Sequence, residues 1–318
     1  MPHPIPLTGL DRDKVPEELR AERYFDFTAH PFRHRDLFEP PWASSVTEVL
    51  HQIDRYTKRR LAELVQQAES QAAGSGSFRR LDPPPGCLTR GRARIYAEGD
   101  VVFLPRLIVG PDTGEPGTVI LEDGAHIIDA ALYLDAGGIS VGARTAVDTG
   151  SCLSGPIVLG AENDIRPGCL IRGRVVTGDG CTLRCETKNA VFMDRCEYPH
   201  PSYVGDSLLG YHSHFGNQVT AANFRIFSPG HASATILLRA GGQTYDTGLT
   251  KLGVVMGDYC QVGCNSVSDP GTFLGPHTLV YPLTYIRMGF YEARRIIKNK
   301  PWKRGVVEIS TLRTPGDE

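Results

Sequence analysis

The chain has 318 residues, 41% of them apolar and 22% charged, with a formal net charge of −2. This balance excludes a disordered or collagen-like chain and gives no global attraction to nucleic acid or to an acidic membrane surface. Thirty-five Gly and 23 Pro, spread along the chain, exceed what a largely helical protein tolerates and favour an all-β body with many turns.

The start, MPHPIPLTGL, lacks both a basic and an apolar leader region, and no segment approaches the roughly 20 apolar residues of a membrane span. The eight Cys follow no secreted disulfide spacing. A cytoplasmic chain with no membrane and no nucleic-acid partner is expected. Cys181-x3-Cys185 and Cys260-x3-Cys264 are looser than usual zinc pairs, so inert small side chains are expected there and no metal.

In chain order, residues 1–42 are rich in Pro, His, Arg and aromatics, and Tyr24, Phe25, Phe27, Phe32 and Phe38 predict a packed irregular arm. An amphipathic helix follows over about 43–72, with Val46, Val49, Leu50, Ile53, Leu61, Leu64, Val65 and Ala68 on one stripe. Gly74 to Ser77 ends it. The arm and helix make a first region, 1–80. Residues 81–288 form a second, β region, in which Ile95-Tyr96, Val101 to Phe103 and Leu107 to Val109 read as strands of an irregular first coil.

From Val141 an aliphatic residue recurs every six positions, at Val147, Leu153, Leu159, Ile165 and Ile171, skips at Thr177 and returns at Leu183. Neither a helix nor a simple strand has that period, but a coil of short strands with one inward side chain per hexad does. Gly, Asn or Asp would take the corner angles. The beat is lost after Leu183, resumes at Val204, breaks again over about 227–250 as a projecting loop or hairpin, and returns from Met256 to Val280. Residues 289–318, with Arg294, Arg295, Lys298, Lys300 and Lys303, read as a short basic C-terminal helix or tail.

Polar residues that such a coil does not need are concentrated between Arg166 and Asn223. If three hexads make a turn, residues about 18 apart stack, and Arg166 and Lys188 would converge on one anionic group such as a phosphate. His200 has the solution chemistry of a general base. Each also has a plain structural role available: a solvated corner Arg, a turn His between Pro199 and Pro201, a packed Tyr203, and a turn Asn223.

Arg166-Pro167-Gly168, Glu186-Thr187-Lys188-Asn189, His200-Pro201-Ser202-Tyr203-Val204-Gly205-Asp206 and Thr220-Ala221-Ala222-Asn223 occur in that order. Together they resemble the hexapeptide-repeat acyltransferases. The likeness is to the acetyltransferase domain of the bifunctional glucosamine-1-phosphate acetyltransferase/N-acetylglucosamine-1-phosphate uridylyltransferase. It is closer to the archaeal and bacterial sugar-1-phosphate type, whose run after the loop matches Thr247-Gly248-Leu249 and Lys251-Leu252-Gly253. The likeness covers about residues 119–285.

It implies a left-handed parallel β-helix and a homotrimer with sites between subunits. His200 would accept the proton of a sugar amine attacking acetyl-CoA. Arg166, Lys188 and Tyr203 would hold the sugar phosphate, and Asn223 would contact the sugar. Cys264 and Gly275 would lie on the coenzyme side, and acyl transfer would need no metal. His214 and Gln218 depart from the family's usual residues, Phe224 from its bacterial branch, and no Lys stands between Asn223 and Lys251. No Gly-rich phosphate loop of a nucleotidyltransferase occurs in the first 118 residues. The competing expectations are a sugar-phosphate-binding or scaffold protein without turnover, and a zinc hydratase whose histidine spacing His200-x11-His212-x-His214 fits poorly.

Overall fold

A computed structural model describes residues 3–74, 76–225, 234–299 and 307–311. The chain is mainly β, a solenoid of parallel strands with, among the described residues, one α-helix, Val49–Ala73. It divides into two compact units: residues 53–195, and residues 1–52 with 196–318.

In residues 53–195 the six-residue beat is the wall of the coil. Val141 pairs with Leu159, Val147 with Ile165 and Leu153 with Ile171, each eighteen residues on. All six are buried, as are Thr177 and Leu183. Thr177, where the beat skips, has an internal task. Its hydroxyl accepts the Gly160 N–H at 3.0 Å and the Asn163 side-chain amide at 2.7 Å, while Asn163 Oδ1 accepts the Cys181 N–H at 2.6 Å. The buried corner is thus satisfied from within, which removes the desolvation cost of unpaired amides.

The glycines that follow the beat do not serve the corner angles. Gly142, Gly160 and Gly178 are absent from the positive-φ positions, whereas Arg144 (φ 55°) and Glu162 (φ 57°) occupy them. A Cβ at Gly142 would lie 2.3 Å from the Gly160 carbonyl oxygen, and one at Gly160 would lie 2.3 Å from that of Gly178. These glycines are therefore required by the close approach of successive coils. The left-handed corners are shared between Gly, Asn and Asp, as at Gly150, Gly168, Asp129 and Asn265, and ordinary residues such as Arg144 and Glu162, held there by the ladders on both sides. The earliest coils are longer, with Ile95 pairing with Val119 and Val119 with Ile139. Helix residues Leu64, Val65, Ala68 and Ala72 pack against Phe78, Tyr96 and Ile120 in this unit.

In the other unit, Tyr24 lies 5.9 Å from Phe273 ring to ring, and Phe25 meets Phe38 edge-on at 5.5 Å, so the arm is packed on the coil. Buried Asp258 clamps it, accepting the N–H groups of Asp26 and Tyr211 at 2.8 Å each. Ser45 and Glu48 explain why the helix starts at Val49. Ser45 Oγ accepts the Glu48 N–H, and Glu48 in turn accepts the Ser44 N–H, which holds residues 44–48 in turns. Strand Tyr203–Leu209 pairs with Thr220–Ala221 and with Val254–Met256. Between the latter two, Leu237–Ala240 and Gln243–Asp246 form a hairpin, and Ile5–Pro6 adds a third, parallel strand.

The expected C-terminal helix is replaced by strands. Arg295–Asn299 stacks in parallel on Leu279–Val280 and pairs antiparallel with Val307–Thr311. Ile297, buried, continues the Val262 and Val280 positions, so the coil ladder overrides any helical preference. Lys300, Lys303 and residues 312–318 lie outside the described residues.

Candidate functional site

Within residues 53–195, Arg166 follows Ile165, which pairs with Leu183, and its Nε lies 2.8 Å from Asp164 Oδ2. Lys188 follows Thr187, which pairs with Ile171. Here the coil shortens to sixteen residues, so Lys188 stands in register with Arg172. The eighteen-residue step from Ile165 to Leu183 places Arg166 in register with Arg184, and the ladder therefore does not stack Lys188 on Arg166. Arg172 is itself paired with Glu186 at 2.5 Å.

Within residues 196–318 three polar side chains converge. Asn223 Nδ2 donates to the Tyr203 hydroxyl at 3.1 Å and to Asp206 Oδ2 at 2.5 Å. Asp206 and Asn223 are buried, at 5% and 9% exposure. The Tyr203–Leu209 strand supplies two of these groups and the turn after Thr220–Ala221 supplies the third. Asp206 sits at φ 50°, a corner angle, which turns its carboxylate toward Asn223 and leaves its carbonyl to accept the Gly253 N–H at 2.7 Å. Gly205 makes the room, since a Cβ there would lie 2.5 Å from the Tyr203 hydroxyl and 2.6 Å from Asn223 Nδ2. Sequence reasoning singled out Tyr203 and Asn223 but not Asp206 or Gly205. The signal was present in the Tyr-x-Gly-Asp spacing.

His200 is exposed three residues before Tyr203, and its carbonyl accepts the Ser202 hydroxyl at 3.3 Å. His214 faces Glu197, with Nδ1 3.4 Å from Oε2, and His212 approaches the same carboxylate from its other oxygen. Cys264 is exposed, and its backbone N and Sγ would each meet a Cβ at Gly216 at 2.8 Å. Gly275 is buried in the coil, and its carbonyl accepts the Thr278 hydroxyl at 2.7 Å. Burial pushes the Cys260 thiol up to about 12, so it stays protonated and unreactive. Among the described residues no group of three or more His, Cys, Asp or Glu is arranged to hold a metal ion, and no helix is long and apolar enough to cross a membrane.

No protein-family model matches the chain. A bifunctional sugar-1-phosphate nucleotidylyltransferase/acetyltransferase of Sulfurisphaera tokodaii is 31% identical over 97 residues, 30% of this chain and 23% of the relative. The bifunctional protein GlmU of Methanococcus maripaludis is 27% identical over 116 residues, 36% of this chain and 26% of the relative. A putative uncharacterized acetyltransferase of Escherichia coli K12, YaiX, is 28% identical over 170 residues, 51% of this chain and 70% of the relative. The chain resembles the hexapeptide-repeat acetyltransferases. It spans about a quarter of the length of the bifunctional acetyltransferases and over two thirds of YaiX. The coil of eighteen-residue turns fits the repeat of such acetyltransferases.

Proposed function

We propose that the chain is an acyl-CoA-dependent N-acyltransferase that acetylates the amine of an amino sugar phosphate or a nucleotide-linked amino sugar. The observation that carries this reading is the Tyr203, Asp206 and Asn223 network, a set of interlocked polar groups at a coil corner. Relatives named as acetyltransferases support the reaction class.

In this reading the amine nitrogen attacks the thioester carbonyl, a C–N bond forms, and the C–S bond breaks. His200 takes the proton that the nitrogen loses, and the departing coenzyme A thiolate receives a proton in turn. Exposure leaves the His200 ring open to a substrate. Tyr203 and Asn223, fixed by their mutual hydrogen bond, orient the sugar, so its positioning entropy is met in advance. The family likeness assigns Arg166 and Lys188 to the phosphate, His214 to the sugar side, and Cys264 and Gly275 to acetyl-CoA. It also assigns assembly as a homotrimer and acyl transfer without a metal, and the cysteine usage fits a reducing cytoplasm.

The test is acyl-CoA turnover with a panel of amino sugar phosphates and nucleotide-linked amino sugars. His200→Ala is expected to lower the rate by about 10²–10⁴-fold. Turnover undiminished in that variant, or no turnover by the parent across the panel, sinks the assignment.

A second reading, a sugar-phosphate-binding protein without turnover, draws on His214 and Gln218, which depart from the family's usual residues. Calorimetry separates the two: sugar-phosphate binding with no acyl-CoA binding favours the second reading, and tight acyl-CoA binding the first.

A further inference from the structure

The hairpin Leu237–Ala240 and Gln243–Asp246 encloses a hollow that the acyl-transfer chemistry above does not use. Its volume is about 1080 Å³, and Leu238, Arg239, Met288 and Phe290 line it together with Arg225. A second hollow of about 490 Å³ shares Arg225 and Met288 with the first and adds Phe224 and Tyr285. Both volumes are of the size that takes an organic ligand.

The chemistry of the walls is divided. Arg225 and Arg239 are exposed, and among the described residues neither guanidinium has a carboxylate partner. The one carboxylate in the second hollow, Asp269, is engaged, accepting the Tyr285 hydroxyl at 2.7 Å and the Met288 N–H at 3.3 Å. His3 and Thr244 also line the first hollow, and Phe224, Tyr285, Met288 and Phe290 offer flat or apolar faces. Guanidinium groups with free forks bind phosphate oxygens in pairs, and aromatic faces accept a base or a ribose. Arg225 stands two residues after Asn223, so the cationic end of the hollows begins beside the Tyr203, Asp206 and Asn223 network.

We propose that these neighbouring hollows bind a nucleoside diphosphate group, with Arg225 and Arg239 on the diphosphate and the aromatic walls on the nucleoside. The proposal deepens the acyl-transfer reading and rests on it for the source of the group. Coenzyme A and a nucleotide-linked amino sugar both carry that chemistry. The hairpin and the N-terminal strand Ile5–Pro6 then act as a binding wall added to the coil.

Titration calorimetry with ADP and with UDP at physiological salt tests this directly. The parent protein is expected to bind one of them at one site per chain. Arg225→Ala and Arg239→Ala should each weaken that binding by about 10- to 100-fold. Arg80→Ala, an exposed arginine of the other unit, should leave it unchanged. Preference for ADP with competition by coenzyme A makes the coenzyme the source, and preference for UDP makes it the sugar nucleotide. Neither nucleotide binding to the parent, or binding unaltered in both arginine variants, overturns the proposal. Nucleotide binding without any turnover by the parent would instead fault the acyl-transfer reading and leave the hollows intact.

Discussion

Replacing Asn223 with aspartate sets a second carboxylate against Asp206. The two groups now meet at 2.5 Å, Asn223 Nδ2 to Asp206 Oδ2, with both residues buried. Two carboxylate charges that close, at an effective interior dielectric near 20, repel by roughly 4 to 7 kcal/mol. The pair escapes by sharing one proton. Holding it costs at most the gap between the solution pH and an ordinary aspartate pKa, about 5.6 kcal/mol at pH 8 and about 1.5 kcal/mol at pH 5. The folded pKa of the pair is raised, so the penalty is absent below the unfolded carboxylate pKa and grows as pH rises. Urea unfolding at pH 8 and pH 5 measures it, with Asn223→Ala as the control. The alanine variant loses a hydrogen bond to a charged group and should show a deficit of about 1.5–3 kcal/mol at both pH values. Equal deficits for Asn223→Asp at the two pH values, or a pH 8 deficit matching that of alanine, would refute the network as described.

Gly205→Ala should disturb the same network sterically, with a loss of about 1–3 kcal/mol and a fall in any turnover, because its Cβ meets two side-chain atoms. Gly253→Ala should cost more in a side-by-side thermal melt, since its Cβ would lie 2.2 Å from the Gly205 carbonyl oxygen, which has no rotamer to move into. Burial, the largest cause, holds the Asp258 carboxyl above the ordinary carboxylate range, against the lowering effect of the Asp26 and Tyr211 N–H groups. Its contribution is therefore fully present below the unfolded aspartate pKa and is lost as pH rises through the folded value. Asp258→Asn leaves one of those two N–H groups facing an amide NH₂, at a cost of about 1–3 kcal/mol. In unfolding titrations its deficit should be largest near pH 4 and shrink toward pH 7; a deficit that widens with pH contradicts this account.

The coil was legible in the sequence because each inward residue is apolar and evenly spaced, as Val141, Val147 and Leu153 illustrate. The corners were legible only where Gly, Asn or Asp take them, as at Gly150, Gly168 and Asn265; Arg144, Glu162, Tyr259 and Leu283 at φ 55–60° carry no local preference for the left-handed region. Only the ladders on either side impose it, and a ladder is a property of neighbouring coils. The register at Lys188 was only half legible: the loss of the beat after Leu183 marks the shortened coil, but not which side chain then stands beside which. The strand Arg295–Asn299 shows the reverse error, in which a run of basic residues suggested an exposed helix while Ile297 continued the interior column. Of the candidate residues, Tyr203 and Asn223 were legible through their family motif, whereas the burial of Asp206 against them depends on a corner angle.

The pairing of Leu209 with Met256, Phe215 with Val262 and Ala221 with Ser268 skips forty-seven residues where neighbouring coils skip seventeen or eighteen. Closing the longer loop costs only about 0.9 kcal/mol more in chain entropy, less than the burial of a single leucine returns. The ladder therefore resumes in register as though nothing had been inserted. A molecule built this way can exchange the hairpin for another of different length without re-forming its interior, so its corners are sites where descendants can diverge in what they grasp while inheriting the same frame.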